Sequence, residues 1–202
     1  LLSAQIGPFL GRGSDLVQIS AILSHPPAVV VLFGPPGIGK TSLILQAALR
    51  NQWRFPGGVA YACGPRSGSG TATEMLRDLA GGLGLSPPAG REEEVLRIHT
   101  ASHPTLMLLD NLESLPQEEM EQLSDSLRHL GGESAALLAL RPSSQTLEDL
   151  PLARSISLHH GLARTEAERY ALYLARQKGI PLDGADGRII ARSVDGHPLL
   201  IE

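Results

Sequence analysis

Gly34-Pro35-Pro36-Gly37-Ile38-Gly39-Lys40-Thr41 satisfies the pattern G-x-x-x-x-G-K-[ST], with Gly34 and Gly39 as its outer glycines. The run Val29-Val30-Val31-Leu32-Phe33 before it is apolar and β-branched and reads as a buried parallel strand. Ser42-Leu43-Ile44-Leu45-Gln46-Ala47-Ala48-Leu49 after it reads as a helix continuing to about Arg50. Strand, glycine loop and helix in that order are the context in which the pattern acquires meaning. Glycines let the backbone curl so that successive N–H groups converge on phosphate oxygens. The helix brings its unpaired N–H groups and the positive end of its dipole to the same point. Lys40 is then placed to reach β- and γ-phosphates, Thr41 to ligate Mg²⁺, and the loop from Gly34 through Ser42 to hold a nucleotide tail.

Working outward, Val59-Ala60-Tyr61-Ala62-Cys63, Thr105-Leu106-Met107-Leu108-Leu109-Asp110, Ala135-Ala136-Leu137-Leu138-Ala139-Leu140 and Ser155-Ile156-Ser157-Leu158 read as four further strands. Between them, helical spacing predicts helices from Ser14 or Asp15 through Leu23, across Met75, Leu76, Leu79, Leu83 and Leu85, over 91–102, and over 117–130 ending at Gly131-Gly132. Alternation of this kind predicts an α/β fold: a five-stranded parallel sheet covered by helices on both faces, the three-layer architecture of P-loop NTPases. From about Gly161 the pattern changes to helices alone, starting near Thr165, near 184, and at Gly196-His197-Pro198-Leu199. The expected division is a nucleotide-binding core over 1–160 and a small helical lid over 161–202, truncated where the last helix begins.

At 202 residues the chain can bury one sizeable core. A formal charge of −4 argues against a domain built on nucleic-acid backbone contacts. The single Cys63 cannot form an internal disulfide, which suits a reducing, cytoplasmic setting. Neither a membrane span nor a signal peptide is read from the sequence. The loop Gly64-Pro65-Arg66-Ser67-Gly68-Ser69-Gly70 lacks a lysine and any complete glycine pattern, and reads as a surface loop.

Asp110 is the second strong signal. A carboxylate ending an apolar strand seventy residues after Lys40 fits the Walker B position, where it would hold Mg²⁺ through bound water; an Asp capping a turn is the plainer alternative. Asn111 follows where many hydrolytic ATPases carry an acid, and an amide cannot take a proton from water at neutral pH. Slow hydrolysis is therefore expected. Glu113 could supply the missing acid, or be a solvated loop carboxylate, with the latter slightly favoured. Arg141, at the end of the fourth strand, faces the ligand crevice of a parallel sheet and could reach a γ-phosphate; a solvated strand-end arginine is the alternative. His99 with His103, and His159 with His160, lack the companions of a zinc set.

The order of these motifs resembles the STAND class of P-loop NTPases, and within it NB-ARC-like ATPases. Phe9-Leu10-Gly11-Arg12 is similar to the F-x-G-R entry motif, which in that class lies against the adenine. Leu138-Ala139-Leu140-Arg141 resembles the strand-end sensor arginine, without the hydroxyl residue usual two places earlier. Gly196-His197-Pro198-Leu199 resembles the lid's G-x-P-L motif, whose proline packs by the base or ribose. No N-K-x-D-like guanine motif appears. The resemblance implies ATP/ADP with Mg²⁺ as ligands, and Lys40, Asp110 and Arg141 as the residues acting on the phosphates. It also implies a slow signal-transduction switch ATPase, with winged-helix, effector and sensor-repeat regions elsewhere in a longer chain, and nucleotide-dependent self-assembly. An AAA+-like motor or loader, and a nucleotide-binding module without catalysis, are the alternatives.

Overall fold

A computed structural model describes residues 9–65, 70–141 and 152–202. Residues 1–8, the Arg66-Ser67-Gly68-Ser69 part of the expected surface loop, and 142–151 lie outside the described residues.

The chain runs α1 (Gly13–Leu23), β1 (Ala28–Phe33), α2 (Lys40–Asn51), β2 (Val59–Cys63), α3 (Ala72–Gly82), α4 (Glu92–Ser102), β3 (Leu106–Asp110), α5 (Gln117–Arg128), β4 (Ala135–Leu140), β5 (Ala153–Ser157), α6 (Arg164–Gln177), α7 (Gly184–Ser193) and α8 (Pro198–Ile201). The five strands form one sheet in the order β2-β3-β4-β1-β5, with every pairing parallel. The expected three-layer α/β architecture is therefore present.

Its cause is visible strand by strand. All residues of β1, β3 and β4, the three central strands, are buried, because helices cover both faces. Side chains alternate across the sheet. Val29, Val31 and Phe33 of β1 join Met107, Leu109, Leu138 and Leu140 in one core with α3 and α5. Val30 and Leu32 join Leu106, Leu108 and Leu137 in a second core with α1 and α2. A buried polar tie closes the far end of the sheet. Ser134 Oγ donates to the Thr100 carbonyl at 2.8 Å and accepts the Thr105 N–H at 3.0 Å.

Several boundaries differ from expectation. Helix α3 ends at Gly82, because Gly84 takes a left-handed turn (φ 75°), which leaves Leu83 and Leu85 packed on the core from outside the helix. Helix α5 stops at Arg128, yet Leu130 stays buried beyond it. Strand β5 begins at Ala153, two residues early, and Leu158 falls past its end; as an edge strand it carries exposed Arg154, Ser155 and Ser157.

Helices α6 and α7 pack through small residues. Ala167, Ala171 and Ala175 are buried on α6 and Gly187 and Ala191 on α7. Two of their N-termini show how sequence sets the ends. Asp183 caps α7 by accepting the Ala185 and Asp186 N–H groups, while at α6 the Glu166 carboxylate accepts the Ala163 N–H. Gly161 and Gly196 cross closely, with the Leu162 N–H donating to the Gly196 carbonyl at 2.8 Å.

Candidate functional site

The loop between β1 and α2 lies at the carboxyl end of the sheet. There the chain leaves β1, turns through Gly37 (φ 75°) and Gly39 (φ 99°), and enters α2 at Lys40. Both angles belong to the left-handed region where glycine carries no Cβ penalty. Gly39 has open space where a Cβ would stand, so the front of the loop presents bare backbone. Gly34 is hemmed in behind, 2.8 Å from the Leu158 carbonyl at its Cβ position.

A cleft of about 530 Å³ opens over this loop. Pro36, Gly37, Gly39, Lys40, Thr41 and Ser42 form one wall, and Cys63, Asp110, Asn111, Glu113 and Arg141 another. Tyr170, Pro198, Leu199 and Glu202 close it from the side of α6 and α8. A smaller adjoining pocket of about 50 Å³ is lined by Phe9, Leu10, Arg12, Ile38, Gly39, Ser42, Leu162, Tyr170 and Pro198. Gly39, Ser42, Tyr170 and Pro198 border both spaces. Gly11 does not line either one; it abuts Glu166 and Leu162. Pro35 contributes its carbonyl to Lys40.

Lys40 Nζ donates to the Gly34 carbonyl at 2.7 Å and the Pro35 carbonyl at 3.0 Å. Burial lowers its pKa from the ordinary lysine value, Glu113 and Asp110 pull it back up, and Arg141 adds to the lowering. An anion in the cleft would therefore be favoured twice, by the loop's N–H groups and by an ammonium whose hydrogen bonds go to carbonyl oxygens. Thr41 Oγ1 donates to Asp110 Oδ2 at 2.6 Å, across 69 positions of sequence. Asp110 is 6% exposed and also accepts from Tyr61 Oη at 3.3 Å and from the Asn111 N–H at 2.9 Å. Burial, then the Asp110 charge, pushes the Tyr61 phenol well above its usual range, so it stays a donor. A hydroxyl and a carboxylate in contact beside bare loop amides are the hard oxygen donors that Mg²⁺ prefers, and the donor set fits that ion.

Two residues behave unlike the sequence reading. Asn111, in the left-handed conformation (φ 55°), turns its amide away, donating to the Gly64 and Pro65 carbonyls at 3.2 and 3.0 Å. Glu113 is not a solvated loop carboxylate: its side chain is 14% exposed and forms an ion pair with Arg141, Nε to Oε1 2.7 Å. Arg141 is thus held at the cleft by a partner that strand-end position alone does not disclose. Contacts from α6 and α8 were also missed. The Leu199 N–H meets the Gly37 carbonyl at 3.4 Å, and Tyr170 Oη donates to Glu202 Oε1 at 2.7 Å. The Arg12 guanidinium donates to the Ile38 carbonyl at 3.2 Å and the His160 carbonyl at 2.7 Å, joining entry segment, loop and lid approach. His99 stacks on His103 and bonds the Gly57 carbonyl, far from these residues.

No curated protein matches the chain in sequence. Solved structures do match in fold. The Walker-type ATPase PABY2304 of Pyrococcus abyssi aligns with a TM-score of 0.68 at 11% identity, over 96% of this chain and 66% of that one. Cdc6p from Pyrobaculum aerophilum aligns with a TM-score of 0.69 at 16% identity, over 99% and 62%. The RuvB Holliday junction branch migration motor of Thermotoga maritima aligns with a TM-score of 0.59 at 16% identity, over 96% and 60%. The chain therefore spans less than two thirds of the length of each of these structures. Among the described residues no helix is long and apolar enough to cross a membrane. The family model described as AAA domain matches residues 24–141, well over half of the sequence and the whole span from β1 to Arg141. With its glycine loop, strand-ending Asp110 and parallel sheet, the chain belongs to the AAA domain family of P-loop NTPases.

Proposed function

We propose that this domain is an ATP/ADP-binding switch ATPase of the STAND type, in which slow hydrolysis changes the position of a helical lid. The observation that carries the reading is the lid's seat on the glycine loop: Leu199 bonds Gly37, and Tyr170 and Pro198 border both the cleft and the small pocket. Whatever occupies the cleft shares its walls with the lid.

In this reading residues 1–160 form the nucleotide-binding core and 161–202 the lid. The amides of Gly34 through Ser42 and the Lys40 ammonium hold the phosphates. Phe9, Leu10, Gly11, Arg12 and Pro198 lie on the adenine side. Thr41 and Asp110 would hold Mg²⁺, which when bound neutralises charge on the β- and γ-phosphates. Arg141 reads the γ-phosphate. ADP keeps lid and core together, and exchange for ATP repositions the lid, because only γ-phosphate contacts differ between the two states. Winged-helix, effector and sensor-repeat regions of a longer chain would carry the output, in the cytoplasm, through nucleotide-dependent self-assembly. The test is to compare ADP and ATP affinity in wild type and Lys40→Ala. Loss of both ligands in the variant is expected; equal affinities in the two proteins overturn the reading.

A second reading, an AAA+ motor or loader, is favoured by the family match and by the likeness to Cdc6p and RuvB. It predicts ring assembly on ATP, which light scattering with and without ATP separates from the switch.

A further inference from the structure

Asn111 stands where an ATPase acid would, and its side-chain NH2 donates toward the Gly64 and Pro65 carbonyls and Ser114 Oγ. Its left-handed backbone redirects the chain, and the 3-10 turn Leu112–Ser114 that follows brings Glu113 back to the cleft wall. There the two carboxylate oxygens have different fates. Oε1 lies 2.7 Å from Arg141 Nε in an ion pair. Oε2 is buried and finds no hydrogen-bond partner among the described residues. A buried carboxylate oxygen without a hydrogen bond is uncommon in a fold and calls for a reason, such as a role at the site. Glu113 and Lys40 line the same cleft.

We infer that Glu113 takes the proton from the attacking water, and that Arg141 latches it until a γ-phosphate draws the guanidinium away. The inference rests on the ATPase reading above. The water oxygen forms a bond to the γ-phosphorus, and the bond from that phosphorus to the bridging oxygen breaks, leaving its electron pair on ADP. The water proton passes to Glu113 Oε2, and the products are ADP and inorganic phosphate. Arg141 is suited to changing partners. It is about half exposed, 49% by side chain, so its pairing with Glu113 is screened by water and weak enough to exchange. The latch also supplies order: the acid is released by the same group whose cleavage it serves.

The experiment uses Glu113→Gln, with ADP and ATPγS as probes and phosphate release from Mg-ATP as the rate. Phosphate release is expected to fall by roughly 10²–10⁴-fold, the usual contribution of a general base. ADP affinity stays at the wild-type value. ATPγS binding, relative to ADP, tightens by roughly two- to fivefold, because Arg141 no longer leaves an ion pair to meet the thiophosphate. Arg141→Ala removes the preference for ATPγS over ADP. Should Glu113→Gln not fold by thermal melting, Glu113→Asp keeps the charge but draws it back by one methylene, and is expected to lose rate with ADP affinity intact. Wild-type phosphate release in either variant overturns the assignment, and so does an unchanged ATPγS-to-ADP ratio in Glu113→Gln. A wild-type protein that binds both nucleotides yet releases no phosphate overturns it while leaving nucleotide binding standing. A wild-type protein that binds neither removes both readings.

Discussion

Replacing Gly37 with alanine sets a methyl group against the lid. At φ 75° the new residue is held in the left-handed region, which costs about 1–2 kcal/mol for an L side chain. The added Cβ would also stand 2.6 Å from Leu199 Cβ and Cδ2 and 3.0 Å from His197 Cε1. Leu199 is 55% exposed on the four-residue helix α8, so the lid yields before the loop does. That displacement gives up the Leu199 N–H bond to Gly37, about 1 kcal/mol net. The sum is about 2–3 kcal/mol, and a domain of this size loses roughly 2–4 °C per kcal/mol, so the melting temperature should drop by about 4–12 °C. A double-mutant cycle with Leu199→Gly separates the parts. In that background the overlap with Leu199 disappears, leaving the backbone penalty and the approach to His197, and giving an expected coupling of about 1 kcal/mol. Calorimetry of the four proteins supplies the numbers. Additivity within about 0.5 kcal/mol would show that the lid does not rest on the loop.

Two further outcomes follow from other contacts. Asp110→Asn should lower the response of ADP affinity to Mg²⁺ by about ten- to a hundredfold, since the carboxylate that Thr41 and Tyr61 orient is gone; ADP titrations with Mg²⁺ and with chelator measure it, and an undiminished Mg²⁺ response argues against the proposed metal role. The Glu92 carboxyl is held below its ordinary value of 4.5, first by the hydrogen bond from Arg77 at 2.6 Å. A depressed carboxyl contributes stability that is present above its unfolded pKa and lost as pH falls through the folded one. The melting temperature should therefore decline on acidification below about pH 4.5, and less steeply in Glu92→Gln; parallel acid limbs in the two proteins would refute the pairing.

The sheet was legible because its information is local. An unbroken apolar run such as Val29 to Phe33 can hardly be anything but a doubly covered strand, and the glycine loop carries its own backbone requirements. The edge strand β5 was only half legible, since Ala153 and Arg154 pair through backbone while their side chains carry no apolar alternation. Glu113 was misread for a different reason. Whether it faces water or the cleft depends on one dihedral, the left-handed φ at Asn111, and asparagine tolerates that conformation without requiring it. The lid's seat on Gly37 depends on how α6 and α7 pack, and no single stretch of sequence records that.

The crossing of Gly161 and Gly196 has a mechanical consequence. With no side chain on either glycine, the segments entering and leaving the α6–α7 pair touch backbone to backbone, and the Leu162 N–H fastens them together. The segment between is a closed hoop, not a cantilever. Torque applied at either foot turns the whole hoop about one knot, and α8, attached just past that knot, travels with it. A side chain at either glycine would pry the knot apart and leave the two feet to swing independently.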